Sequence, residues 1–274
     1  MIQFRTYPIY IVYSRNKQQS VFDVAYDYLR EGDDKLYENI ATKGMSRLEI
    51  TDDDPAYRGE RIKFENTIKV YLDKLAGTEV GRCILDHLNR AEKVWILPDP
   101  FLKKVAQTKW SDTRNEGGGL RVRVNPEDWV GYLDDLLAHE LTHAVRYTNN
   151  RISPKMLAQG GNFSGDSVEE FMATQVANLY RSSLGKKQLF ASYVSDENGK
   201  PILKDKGTIY SEFIQYPEII MALKFCRDNE PLISRISKLP LKHPEFNPFR
   251  DVAVLERMAI GKIGIGGIPQ FPPL

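Results

Sequence analysis

Leu136-Leu137-Ala138-His139-Glu140-Leu141-Thr142-His143-Ala144-Val145 is the stretch on which the reading of this chain turns. In a helix, residues four apart share a face, so His139 and His143 can point both imidazoles at one metal ion. Glu140, one step along from His139, can act on a water beside that metal without being a ligand, the position of a general base. The chain has only four histidines, and two of them fall in this H-E-x-x-H pentad. Positions 136–138, 141–142 and 144–145 are uncharged and mostly apolar, so the helix is expected to be buried on nearly every side. Buried imidazoles and a buried carboxylate need partners, and a metal supplies them. The plainer alternative is a surface helix that happens to carry two histidines.

The pentad sits in a chain of ordinary globular composition. Its 274 residues are 42% hydrophobic and 27% charged, enough for one large domain or one domain with an appendage. The net charge of +1 implies no bulk attraction to nucleic acid or anionic membrane. No apolar run approaches membrane-spanning length. At the N-terminus, Arg5 comes early, the apolar stretch Tyr7–Tyr13 is short and no small-residue cleavage site follows, so synthesis in the cytoplasm without a cleaved signal is expected. Cys83 and Cys226 both lie in apolar helical patterns and read as buried free thiols.

Working outward, Asn125-Pro126-Glu127-Asp128 opens the pentad helix, expected over about 128–147. Upstream, Leu120, Val122 and Val124 alternate with Arg121, Arg123 and Asn125, the pattern of a half-buried edge strand. Before it come a loop over 110–119, a short buried strand at Val94–Leu97, and helices at Thr67–Leu75 and Val80–Asn89 broken at Gly77. Ile2–Tyr13 reads as a strand, Val21–Arg30 as a helix, and Glu31–Glu60 as charged and irregular, its Asp52-Asp53-Asp54-Pro55 run a solvated turn. Downstream of a polar loop over 149–165, Ser167-Val168-Glu169-Glu170 has capping-box spacing and opens a helix to about Leu184. Further helices are expected at about Tyr216–Asp228 and Phe249–Ile260. The expected organisation is an N-terminal α/β segment, 1–66, packed on a catalytic domain, 67–260, with an extended tail, 261–274.

Two histidines do not complete a catalytic zinc site, which takes three protein ligands and a water. The extended pattern H-E-x-x-H-x-x-G-x-x-H is excluded, because Arg146 stands at its glycine and Asn149 at its last histidine. Gly81-Arg82-Cys83-Ile84 is not the cysteine segment of the peptide deformylases. A carboxylate remains, and the residues offer Asp166, Glu169 and Glu170. Glu170, Thr174 and Ala177 share a face of small residues that can approach the pentad helix closely, while Glu169 flanks a greasier face of Val168, Phe171, Met172, Val176 and Leu179.

Glu170-Phe171-Met172-Ala173 resembles the Glu-Phe-Phe-Ala stretch of anthrax-lethal-factor-like and related gluzincin peptidases, in which that glutamate binds zinc. Thr78-Glu79-Val80-Gly81-Arg82, the Val94–Leu97 strand, His139–His143 and Glu169-Glu170-Phe171 together are similar to the NleD-like effector metallopeptidases and related bacterial toxin peptidases. This resemblance implies an α+β zincin-like fold, with a small mixed sheet, an edge strand packed on the pentad helix and a mostly helical C-terminal part. It implies Zn2+ held by His139, His143 and Glu170, with Glu140 as the catalytic base. It further implies a bacterial effector or toxin that enters another cell by a route without a cleaved signal and cuts a specific host protein, bound extended along the edge strand.

In such an amide hydrolysis the oxyanion needs a donor besides the metal, for which Tyr147, Tyr180, Tyr193 and Arg146 are candidates. His87 and His243 read as surface residues. Asp134, Asp135 and Asn178 are candidate partners of the ligating histidines. The alternatives to a zinc metalloendopeptidase are a non-catalytic zincin-like binding module and a housekeeping zinc peptidase. An intact Glu140 favours catalysis, since a structural site has no use for a base.

Overall fold

The computed structural model describes residues 2–11, 55–88, 90, 92–98, 106–110, 120–124, 131–151, 153, 157, 167–195, 201–240 and 245–263. The chain is a mixed α+β protein that packs as two compact units interleaved in sequence. The first comprises 1–70 and 93–128, the second 71–92 and 129–274.

A five-stranded mixed sheet belongs to the first unit. Its strands are β1 (Ile2–Gln3), β2 (Ile9–Ile11), β3 (Val94–Pro98), β4 (Ala106–Trp110) and β5 (Leu120–Val124), in the order β1-β2-β3-β5-β4. β2, β3 and β5 run parallel, while β1 and β4 are antiparallel to their neighbours. The register sets Ile9 beside Val94 and Leu120, and Ile11 beside Ile96 and Val122. These side chains are all buried, which is the period-2 apolar face the alternation predicts. The opposite face carries half-buried Tyr10 and Trp95, their rings 5.1 Å apart with Lys93 over both.

Two expectations fail in this sheet. Leu120–Val124 is an interior strand, not an edge, because β4 pairs along its whole length from Trp110 to Ala106. The two arginines of β5 suggested exposure, yet Arg123 is buried and Arg121 half-buried. Ala106-Gln107-Thr108-Lys109-Trp110 carries too few apolar residues to announce a strand. Nor is Ile2–Tyr13 one strand. Pro8 has no N–H to donate, and the chain turns through Arg5 (φ 50°) so that the Phe4 amide donates to the Ile9 carbonyl at 2.8 Å.

Helix α1 (Pro55–Ala76) begins within the span expected to be irregular, with proline in its first turn. The division between the units falls inside it, after Val70. Gly77 and Thr78 separate it from α2 (Glu79–Asp86), where Thr78 Oγ1 caps the helix by accepting from the Gly81 amide at 2.9 Å. A Cβ on Gly81 would lie 1.9 Å from the Leu75 carbonyl oxygen, so only glycine permits this tight corner.

The rest of the second unit is mostly helical: α3 (Leu133–Thr148), α4 (Val168–Ser183), α5 (Lys206–Gln215), α6 (Pro217–Asn229), α7 (Pro231–Ser237) and α8 (Pro248–Ile263). Proline opens α6, α7 and α8, where a missing N–H costs nothing. A hairpin of β6 (Gln188–Ser195) and β7 (Pro201–Asp205) interrupts the helices and was not legible in the sequence, nor were α5 and α7. Asn178 of α4 holds this hairpin by bonding both the N–H and the C=O of Phe190. Helix α8 extends through Ile263, so the expected tail starts later than 261; residues 264–274 lie outside the described residues, as do the expected 21–30 helix and the 110–119 loop beyond Trp110. Cys83 and Cys226 are buried free thiols, as expected. Among the described residues no helix is long and apolar enough to cross a membrane.

Candidate metal centre

The site grows from the packing of α3 on α4. Every residue of α3 from Leu133 to Arg146 is buried, so its polar side chains must find partners inside the protein. Asp134 and Asp135 suit the positive end of its helix dipole, and Arg146 suits the negative end. On α4, Ser167 is the N-cap and its Oγ accepts from the Glu170 amide at 3.2 Å. The capping-box spacing would turn the Glu170 carboxylate back onto the helix start. Instead it crosses to α3.

There it meets both pentad histidines. His139 Nε2 and His143 Nε2 lie 3.0 Å apart, and Glu170 Oε2 stands 3.2 Å from the first and 3.5 Å from the second. A tetrahedral zinc ion with bonds of about 2.0–2.1 Å sets its ligands about 3.3 Å apart. The triangle therefore has the size and the donor set, two imidazole nitrogens and a carboxylate oxygen, that such an ion requires. His139, His143 and Glu170 can hold a metal ion.

Electrostatics favour a cation at this point. Burial opposes charge on His143, but its bonds with Glu169 and Glu170 and the nearby charge of Glu140 outweigh it and push the imidazole up to about 10. Burial likewise opposes charge on Glu170, but His139 and His143 hold its carboxyl well below the usual carboxylate range. The histidine side chains are 2% and 7% exposed, whereas that of Glu170 is 43% exposed, so the triangle opens to solvent on its carboxylate side.

Of the other carboxylates proposed from sequence, Glu169 turns the opposite way. Its Oε1 is 2.9 Å from His143 Nδ1, and its Oε2 accepts from Arg146 Nε at 2.8 Å. It stands outside the triangle and holds His143 by its other ring nitrogen. Asp166 lies outside the described residues. Glu140 is buried beside the pair and contributes its charge to His143.

The oxyanion candidates separate. Arg146 is buried and spent on Glu169, Glu230 and the Arg151 carbonyl, so it has no donor facing a substrate. Tyr180 is buried with its hydroxyl on Asp134 at 3.2 Å. The Tyr193 side chain is outside the described residues. Tyr147 is half-buried, and burial followed by the charges of Glu169, Glu170 and Glu140 raises its pKa, so its hydroxyl keeps its proton near the three carboxylates.

The expected histidine partners Asp134, Asp135 and Asn178 do other work. Asp134 pairs with Lys74 at 2.5 Å and Asp135 with Arg181 and Lys186, while Asn178 holds the hairpin. The partner that sequence reasoning missed is Glu169, with Arg146 and Glu230 behind it. The signal for the first step was present: His143 and Arg146 are three apart on one helix face, where one carboxylate can bridge both. Glu230 gave no signal, lying 84 residues from Arg146. His87 is half-buried at the end of α2, its Nδ1 2.7 Å from the Cys83 carbonyl, and does not join the triangle; His243 is outside the described residues.

No family model, curated protein or solved structure matches this chain. Its geometry therefore carries the functional reading.

Proposed function

We propose that the protein is a zinc-dependent endopeptidase of zincin-like, gluzincin type. The observation that carries this is the triangle of His139 Nε2, His143 Nε2 and Glu170 Oε2, at zinc-ligand spacing, with Glu140 adjoining it in the same helix. His139, His143 and Glu170 would hold the metal by three protein donors, fewer than a closed structural site uses, and the exposed flank of Glu170 leaves the site open to solvent. A structural zinc site is closed by four protein ligands and has no use for a buried base beside it.

When bound, zinc supplies Lewis acidity, acidifying water and polarising a carbonyl. The chain's own residues do the rest. His139 and His143 donate ring nitrogens, and Glu169 holds the His143 ring by its other nitrogen. The Glu140 carboxylate takes the proton of the attacking water and later delivers it to the leaving amine nitrogen. Tyr147, half-buried and near the charges of Glu169, Glu170 and Glu140, remains a candidate donor for the oxygen that gains charge as water adds to the amide.

The substrate is a polypeptide. An extended segment adds to a sheet edge, and among the described residues β4, not β5, lies at one. Together with the likeness of the sequence to effector and toxin peptidases, this supports action on one specific protein in a target cell rather than general digestion. The test is metal analysis of the purified protein and mapping of newly formed protein termini in exposed cells or lysate, wild type against Glu140→Gln. Zinc at one equivalent and termini unique to wild type support the reading. Bound zinc with no termini above the variant leaves a non-catalytic binding module, and no zinc rejects both.

A further inference from the structure

Behind the metal triangle lies a second buried array, of which the catalytic reading uses only Glu169. Arg146 is 2% exposed, Glu169 7% and Glu230 6%, and the guanidinium spans the two carboxylates. Its Nε donates to Glu169 Oε2 at 2.8 Å, its Nη1 donates to the Glu230 carboxylate, and its Nη2 donates to the Arg151 carbonyl at 2.9 Å. Glu230 is itself held in place, ending α6 and starting α7, with its amide donating to the Cys226 carbonyl at 2.9 Å. The other oxygen of Glu169 meets His143 Nδ1 at 2.9 Å.

One guanidinium neutralises only one of two carboxylates. Glu169 is the member of the array whose second oxygen faces His143. A carboxylate there accepts the Nδ1 proton of the neutral imidazole, which leaves the Nε2 lone pair bare and pointing at Glu170 and His139. Without Arg146, the Glu169 Oε2 keeps only the longer bond from the Ser153 amide, at 3.4 Å, and the carboxylate is less firmly aimed at Nδ1. Without Glu230, the guanidinium loses its second anchor and with it the fork geometry that aims Nε at Glu169.

We propose that Glu230, Arg146 and Glu169 form a positioning relay for the metal ligand His143, through which the α6–α7 junction sets the orientation and tautomer of the imidazole and hence the affinity for zinc. The inference rests on the metal-site reading above. It predicts more than a structural staple does. A staple that ties α3, α4 and the α6–α7 junction together alters the stability of the metal-free protein and leaves zinc affinity alone. A relay alters zinc affinity, and its members act in series.

The experiment is a zinc titration of the purified full-length protein against a chromophoric chelator, with wild type, Glu169→Gln, Glu230→Gln and the double variant, each confirmed folded by circular dichroism. Wild type is titrated first. Absence of zinc binding there rejects the metal-site reading and the relay with it. Given wild-type binding, Glu169→Gln is expected to weaken zinc by about 10–100-fold. Glu230→Gln weakens it by a smaller factor, and the double variant is no weaker than Glu169→Gln alone, because Glu230 acts only through Glu169. The visible absorption of the cobalt-substituted protein shifts in the same variants. Wild-type affinity in both single variants, or losses that add in the double, overturns the relay while leaving the metal site standing. If Glu169→Gln does not fold, Glu230→Gln alone decides, weaker binding supporting the relay and wild-type binding overturning it.

Discussion

His139 and His143 set their Nε2 atoms 3.0 Å apart with ring planes at 81°. Two imidazole lone pairs at that distance repel unless a proton or a metal ion lies between them, and Glu170 on the third side adds negative charge. The protein folds around a demand for positive charge. Metal removal should therefore lower its stability. Zinc at a thousandfold excess over its Kd adds about 4 kcal/mol by mass action. Thermal melts with zinc, and after dialysis against a chelator, should differ by several degrees and converge for His143→Ala.

Glu140 adjoins the His139–His143–Glu170 cluster without belonging to it. Glu140→Gln should keep one equivalent of zinc and lose about 10^2–10^4-fold in peptide hydrolysis, the usual worth of a general base. Metal analysis and cleavage assays on the same preparation check this. Wild-type turnover in this variant would remove Glu140 from the mechanism.

Glu170 and Glu169 are neighbours in sequence but differ in task. Glu170→Ala removes one of three donors, so zinc should no longer survive gel filtration in metal-free buffer. Folding should be nearly undisturbed, because this side chain is 43% exposed and the Ser167 cap bonds to the backbone amide, which the substitution keeps. Zinc content and a circular dichroism spectrum of the eluted protein decide it.

Asn178 satisfies both backbone groups of Phe190, at 2.9 Å and 2.7 Å, in a buried setting. In Asn178→Leu that buried N–H and C=O each lose this bond. Each such group costs about 1–3 kcal/mol. Urea unfolding should show a loss of about 2–5 kcal/mol, with the zinc affinity of the folded protein unchanged.

Gly81 lies at the corner between α1 and α2, and its role in this structure is steric. In Gly81→Ala the new Cβ meets a backbone oxygen at 1.9 Å, which rotamer changes cannot relieve. The α1–α2 corner must open, at a cost of about 1–3 kcal/mol or more. Gly81→Ala should melt well below wild type, whereas Gly59→Ala, with nothing within 4 Å of its Cβ, should not.

How far the sequence reached depends on how local the cause was. The pentad helix, the Ser167 cap and the buried thiols follow from spacing within a turn or two of helix, and each is found in the structure. The β6–β7 hairpin was missed because a distant residue, Asn178, completes it. β5 was misread as an edge because strand pairing is not encoded in the strand itself. β4, polar and short, covers it through backbone bonds that any sequence can make.

The same distinction runs through the site. By itself the sequence determined that His139 and His143 share a helix face with Glu140 beside them, since helical geometry places residues four apart together whatever surrounds them. Only the tertiary structure decided between two adjacent glutamates. Neighbours on a helix point about 100° apart, so the packing angle of α4 on α3 sends one carboxylate to the metal face and the other to His143 Nδ1. It also brought in Arg146 as a buried bridge and Glu230 from 84 residues away. Those contacts arise from burial, where a charge must find its opposite, and no short stretch of sequence records which one it will find.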